Sequence, residues 1–423
     1  MHASLIAVTI AAGLAGATGG QGLDEVAPAY VRLVLALGVH DADYVDAYYG
    51  PPEWRAAAQA QKRPLQEIRA DAERLLARLR ELHPDGMAER DGLRHQYLTR
   101  QLNALAARVD MLSGKKLAFD EESRALYDAV APVVPEEHFK RVQARLEVLL
   151  PGSGTLAERY QAYRTRFVIP PDRLSAVFDA AIAECRRRTL AHVDLPAGET
   201  FTVEYVKGKS WSAYNWYQGG FRSVIQVNLD LPVTIDRAVD LACHEGYPGH
   251  HVYNALLEKH LVKDRGWVEF SVYPLFSPQS LIAEGTANYG IEVAFPGEER
   301  TAFERATLYP LAGLDPATAD AYARVQREMH GLDYGSNEAA RRYLDGRLDA
   351  AGAAQWLTTH ALMAPDRARQ RVAFIEQYRS YVLNYNLGQD LVRAYVEKQA
   401  AAGDRWKAFK DLLASPRLPS GLK

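Results

Sequence analysis

Apolar residues recur at intervals of three and four along most of the chain, the spacing of helices that each bury one face. Ile68, Ala72, Leu75, Leu76, Leu79 and Leu82 trace one such stripe, with Arg and Glu between them, and His83-Pro84-Asp85-Gly86 stops it. Leu93, Tyr97, Leu98, Leu102 and Leu105 mark a second helix. Phe139, Val142, Leu146 and Leu149 mark a third, ended by Pro151-Gly152-Ser153-Gly154. Upstream, Val31, Leu33, Val34 and Leu37 form a stripe, and the Pro51-Pro52 pair after Tyr48-Tyr49 is expected to close a helix. Beyond Pro170-Pro171-Asp172 the theme runs through Leu174, Val177, Ala181, Ile182 and Cys185 to Arg186-Arg187-Arg188, three charges suited to a solvated helix end.

The period changes in one region. Residues 200–206 and 221–229 are rich in β-branched and aromatic side chains, and Lys207-Gly208-Lys209 and Gln218-Gly219-Gly220 supply turn signals. The expected fold is therefore mainly α, with a small antiparallel β-sheet beside the helix that follows it. One domain is expected over 22–423: a helical scaffold to 195, the sheet and candidate site over 196–300, and a helical C-terminal half over 301–423.

Composition narrows the function classes. The 423 residues are 48% hydrophobic and 24% charged, a globular profile, and the net charge of −3 gives no footprint for nucleic acid. Cys185 and Cys243 lie far apart in sequence, so no disulfide framework is expected and each is read as a small buried residue. Residues 1–21 are apolar and small-sided like the hydrophobic region of a secretory signal, although no Lys or Arg precedes them. They form a candidate export signal that favours a periplasmic or exported location. No later segment is apolar for long enough to span a membrane.

The chemistry concentrates in Cys243-His244-Glu245-Gly246-Tyr247-Pro248-Gly249-His250-His251. Adjacent His and Glu followed by further histidine suggest a zinc site with the Glu as general base, yet the usual His-Glu-x-x-His spacing is not met. Ligand nitrogens must come within about 2.0–2.1 Å of one ion, whereas residues six or seven apart on a straight helix are separated by about 9–10 Å. Gly246, Pro248 and Gly249 make a straight helix improbable. Two looped-out residues would bring His250 to the place of the second ligand, and three would bring His251. Downstream, Glu284 and Glu292 are the candidate carboxylate ligands.

These strings, His244-Glu245-Gly246-Tyr247-Pro248-Gly249-His250-His251 and Glu284-Gly285-Thr286-Ala287-Asn288-Tyr289-Gly290-Ile291-Glu292, resemble the bacterial domain-of-unknown-function 885 family. That family carries His-Glu-x-x-Pro-Gly-His-His and Glu-Gly-Trp-Ala-x-Tyr-x-Glu, and looks like a helical relative of the carboxypeptidase Taq and oligopeptidase kind of zinc peptidase. The likeness runs from about Tyr30 to Tyr395. It implies a large helical metallopeptidase-like fold with one zinc ion per chain, held by His244, a second histidine (His250, with His251 as the alternate) and Glu284, and with Glu245 as base. Met329-His330-Gly331 and Asn384-Tyr385-Asn386-Leu387-Gly388 are similar to two further family segments, which makes His330 and Tyr385 candidate oxyanion donors. Two departures stand out: Thr286 replaces the family's Trp, and Tyr378-Arg379-Ser380-Tyr381 replaces its Pro-Gly-Gln-Ala.

The strand 221–229 is the expected aligner of a substrate backbone, and Arg379 or Arg222 the expected partner of a substrate carboxylate. The resulting expectation is a zinc-dependent hydrolase that cleaves peptide or amide bonds through a metal-activated water. Hydrolysis of another acyl bond, and a non-catalytic helical binding protein, are the alternatives. The partner is a peptide or other small acyl substrate.

Overall fold

The computed structural model describes residues 10–422 except 210, 231 and 402. Helix α1 (Ile10–Leu37) opens the described chain, and the candidate export signal falls partly on residues outside it. The helical periods are borne out: the first stripe becomes the helix Leu65–Glu81, burying Ile68, Ala72 and Leu79. The second becomes α2 (Glu89–Leu112), and Leu174 opens α3 (Leu174–Leu190). The fold is mainly α with a small sheet beside the candidate metal helix, and among the described residues no helix is long and apolar enough to cross a membrane.

Pro51-Pro52 behaves differently from the expectation. Before it lies a short strand, β1 (Val45–Tyr48), and Pro52 begins the helix Pro52–Gln61. A first-turn proline gives up only an N–H that the helix would leave unpaired, so the pair starts an element here.

The main sheet has three strands: β2 (Thr200–Val206), β3 (Ala213–Gly219) and β4 (Arg222–Asn228). β3 and β4 form the antiparallel hairpin, turning through Gly219 (φ 76°) and Gly220 (φ 62°), and β2 joins β4 in parallel. A second antiparallel pair joins β1 to β5 (Val272–Pro274). The order β2-β4-β3 makes β4 the central strand. Its backbone groups are already engaged on both sides, so the strand expected to align a substrate cannot do so by edge pairing; β3, with one unpaired edge, can.

Helix α4 (Ile235–Leu241) runs into a π-helical turn over Ala242–Gly246, and α5 (His250–Leu257) starts afresh after Tyr247-Pro248-Gly249. Helix α6 (Pro278–Ala294) is buried along most of its length. Helices α7 (Pro365–Tyr378) and α8 (Leu383–Ala400) follow near the C-terminus. Packing of α3 on the π turn brings the Cys185 and Cys243 Cα atoms to 5.7 Å, and the two form a disulfide. The expectation of two unpaired thiols is therefore corrected: both are buried as expected, but sequence separation hid a pairing that helix packing creates.

Candidate functional site

The helix break gathers the histidines. Gly249 lies so close under the preceding turn that a Cβ there would overlap the carbonyl oxygens of Cys243 and His244, so only glycine lets the chain fold back. This fold-back puts His250 Nε2 3.1 Å from His244 Nε2. His251 turns the other way. Fully buried, it bonds Ser223 through Nδ1 (2.9 Å) and Glu199 through Nε2 (3.0 Å), tying α5 to the sheet.

Glu284 of α6 completes the cluster. Its carboxylate oxygens lie 3.3 Å from His244 Nε2 and 3.8 Å from His250 Nε2. Ligand atoms around a tetrahedral ion at zinc's usual bond lengths sit about 3.3 Å apart, so the three groups have the spacing of a closed ligand set with a fourth position open. Oε2 of Glu284 is buried without a hydrogen-bond partner among the described residues, the condition of an atom built to face a cation. Glu245 also falls within 4.8 Å of the two histidines. Two carboxylates, Glu284 and Glu245, therefore stand beside the paired histidines.

Electrostatics separate the roles of these groups. Burial pushes the Glu245 carboxyl up to about 7, Glu284 and Asp46 adding to the rise while His244 opposes it. A carboxyl so poised can take and return a proton near neutrality. Burial acts on Glu284 in the same direction, but the two histidines and Tyr381 overcome it and hold Glu284 below the ordinary carboxylate range. His244 resists burial through its ion pair with Glu284 and the nearby Glu245 charge, and rises to about 9. His250 falls to about 4 through burial and the facing His244 charge. Two buried imidazoles this close hold one proton between them, and an ion would displace it.

Neighbours hold His244 and Glu284 in place. Asn288, one turn beyond Glu284, accepts from His244 Nδ1 at 2.8 Å and so leaves Nε2 as the electron-pair donor. The same amide donates to the Tyr385 carbonyl at 3.0 Å. Tyr381 donates to Glu284 Oε1 at 2.8 Å. Asn215, buried on β3, donates to the Glu245 carbonyl at 2.7 Å and locks the π turn to the sheet. Sequence reasoning passed over Asn288, Tyr381 and Asn215. Asn288 had a signal, since it shares the Glu284 face at i+4; Tyr381 stood in the stretch noted only as a departure, and Asn215 lay in an unassigned strand.

The remaining candidates divide. Tyr385 packs 5.9 Å from Tyr381, ring to ring, and its hydroxyl has no partner among the described residues. Burial raises its pKa, and the Glu284 charge adds to the rise, so it stays a proton donor. His330 is 70% exposed and pairs with Asp333 at 3.2 Å, outside the histidine cluster. Glu292 also lies outside, bonded to Gln389 and paired with Arg393. Arg379 is engaged by Glu122 at 2.6 Å, so it is not available to a substrate carboxylate. Arg222 is exposed at the start of β4.

No family model matches the chain, and no curated protein is similar to it, so the motif resemblance stands on the residues themselves. Among solved structures, the fold is similar to that of a candidate lipoprotein from Colwellia psychrerythraea, with a TM-score of 0.54 and 16% identity over 88% of this chain and 71% of that one. The M32 carboxypeptidase from Deinococcus radiodurans aligns over 93% of this chain and 89% of its own, at 13% identity and a TM-score of 0.39.

Proposed function

We propose that the protein is a zinc-dependent hydrolase, a metallopeptidase that cleaves peptide or amide bonds. The observation that carries this reading is the approach of His244 Nε2, His250 Nε2 and the Glu284 carboxylate to within 3.1–3.8 Å of one another, with Glu245 beside them. A zinc ion held by His244, His250 and Glu284 would supply Lewis acidity for the scissile carbonyl and lower the pKa of water. Glu245, beside the ligands, takes the proton from the attacking water and delivers it to the departing nitrogen. The free Tyr385 hydroxyl donates to the oxygen on which negative charge develops. Asn288 and Tyr381 keep the ligands in orientation, and the open edge of β3 holds the substrate backbone. His330 has no part in this mechanism, because it is solvent-facing and paired elsewhere.

Zinc stoichiometry and hydrolysis of a peptide library, measured for the native protein and for Glu245→Gln, test the reading. The variant is expected to keep its metal and lose at least about 100-fold in turnover. Metal binding with no cleavage by the native protein would overturn the enzyme. New free amino groups in the products distinguish a peptidase from a hydrolase of other acyl bonds. The buried Cys185–Cys243 disulfide also suits an oxidising compartment and so supports export, which sequencing the mature N-terminus checks.

A further inference from the structure

Helix α7 buries Ala368, Val372, Phe374 and Ile375, while Arg367, Arg371 and Tyr378 are only half-buried. The lower half of this helix belongs to the aromatic wall of the site. Phe374 lies 4.7 Å from Tyr378 and 6.5 Å from both Tyr381 and Tyr385. One turn up, the Arg371 guanidinium sits 5.2 Å over the Phe374 ring. A further turn up, Arg367 is held by Gln370 at 2.6 Å and reaches Ser212, at the head of β3, at 3.5 Å. The two arginines thus stand one and two turns above the aromatic cluster that includes Tyr385, and Arg367 joins α7 to the start of the open strand.

Their charges are uncompensated. Neither Arg367 nor Arg371 has a carboxylate at ion-pair distance among the described residues, although both are half-buried. The groups that face them do not supply the missing charge. Arg367 faces Arg371, Arg237 and Arg164, and Arg371 faces Tyr385, Arg237 and the more distant Asp333, which is engaged by His330. Arg237 is already paired with Asp240 at 3.1 Å. Burial and this repulsion lower both guanidinium pKa values, Arg367 to about 10. Two cations kept together against desolvation and repulsion weaken the folded state, a cost found where a ligand provides the counter-charge.

We propose that Arg367 and Arg371 form an acid-recognising subsite that selects substrates ending in glutamate or aspartate. Residues four apart on a helix are neighbours, with about 5–6 Å between Cβ atoms, so the pair presents two planar donor forks side by side. Within a peptide, only an acidic residue at the C-terminus carries two carboxylates on one residue, one for each guanidinium that lacks an acidic partner. This specificity rests on the hydrolase reading above and names its substrate class.

The test uses full-length, zinc-loaded Glu245→Gln protein titrated by calorimetry with acetyl-Ala-Ala-Glu, acetyl-Ala-Ala-Gln and acetyl-Ala-Ala-Glu amide. Removing either carboxylate is expected to weaken binding by about 10- to 100-fold, the range for a charged hydrogen bond. Adding Arg371→Gln or Arg367→Gln is expected to erase the preference, and the Lys replacements to restore part of it. Melting temperatures should hold or rise in the Gln variants, whereas arginines with a structural role would lower them. Equal affinity for the three peptides, no binding of any, or a preference that survives both Arg replacements would overturn the subsite. Native protein that cleaves none of the peptides, beside a variant that still prefers the acidic one, would overturn the hydrolase reading alone.

Discussion

Gly285 lies backbone to backbone against Gly388 where α6 crosses α8, and a Cβ on Gly388 would come 2.6 Å from the Leu281 carbonyl oxygen. The crossing brings Tyr381 and Tyr385 to Glu284 and Asn288, so helix packing and site geometry are set by the same two residues. Gly388→Ala must push the helices apart and is expected to cost about 1–3 kcal/mol. Urea unfolding should show the loss. Zinc affinity should fall with it, because Tyr381 would no longer reach Glu284.

The orientation of His244 depends on Asn288. Asn288→Ala removes the acceptor at Nδ1 and frees the other tautomer, and is expected to weaken zinc binding by about 10- to 100-fold. Asn288→Asp keeps an acceptor and should retain most of the affinity. Competition with a chromophoric chelator measures both, and equal affinity for Ala and Asp variants would remove Asn288 from the site.

Adjacent histidines are expected to respond in opposite ways. His250→Ala should abolish stoichiometric zinc binding while leaving the fold, since His250 Nε2 bonds only within the cluster. His251→Ala should keep zinc but lose about 1–3 kcal/mol, because Glu199 and Ser223 each lose a buried partner. Metal analysis and thermal melts on the two proteins separate the roles, and the reverse pattern would exchange the ligands.

Local chemistry made part of this legible in the sequence. The glycines and proline between His244 and His250 announced a broken helix, and apolar periods located the long helices because each buries one face. What stayed hidden was set by contacts between distant segments. Cys185 meets Cys243 only because α3 packs on the π turn. Nothing in the local sequence singles out Arg367 and Arg371 until α7 is placed beside β3, whereas Arg379, one of the two arginines expected to meet a substrate carboxylate, is taken up by Glu122. Strand β3 itself, Ala213–Gly219, mixes aromatic and polar residues and lacks the β-branched run that marked its neighbours.

Asp46 gives the fold a pH dependence of known sign. Burial pushes its carboxyl up to about 7, Tyr214 opposing the rise by donating at 2.8 Å and the Glu284 charge adding to it. The unfolded chain releases this proton near the ordinary carboxylate value, about 3.9. Below that value both states are protonated and the group has no effect. Between it and about 7 the folded state alone keeps the proton, so stability declines as pH rises, by up to about 1.4 kcal/mol per pH unit; above about 7 the penalty is complete and constant. Asp46→Asn retains an acceptor for Tyr214 and cannot ionise. Its stability advantage over the native protein is therefore expected to grow from pH 5 to pH 7 and then level off. Glu304, also raised to about 7 by burial, is present in both proteins and drops out of the comparison, whereas Glu245, whose rise Asp46 adds to, is relieved in Asp46→Asn and enlarges the same advantage. Denaturant unfolding of the metal-free proteins at a series of pH values measures the difference, and an advantage that stays flat or shrinks with pH would show that Asp46 is ionised in the folded state throughout.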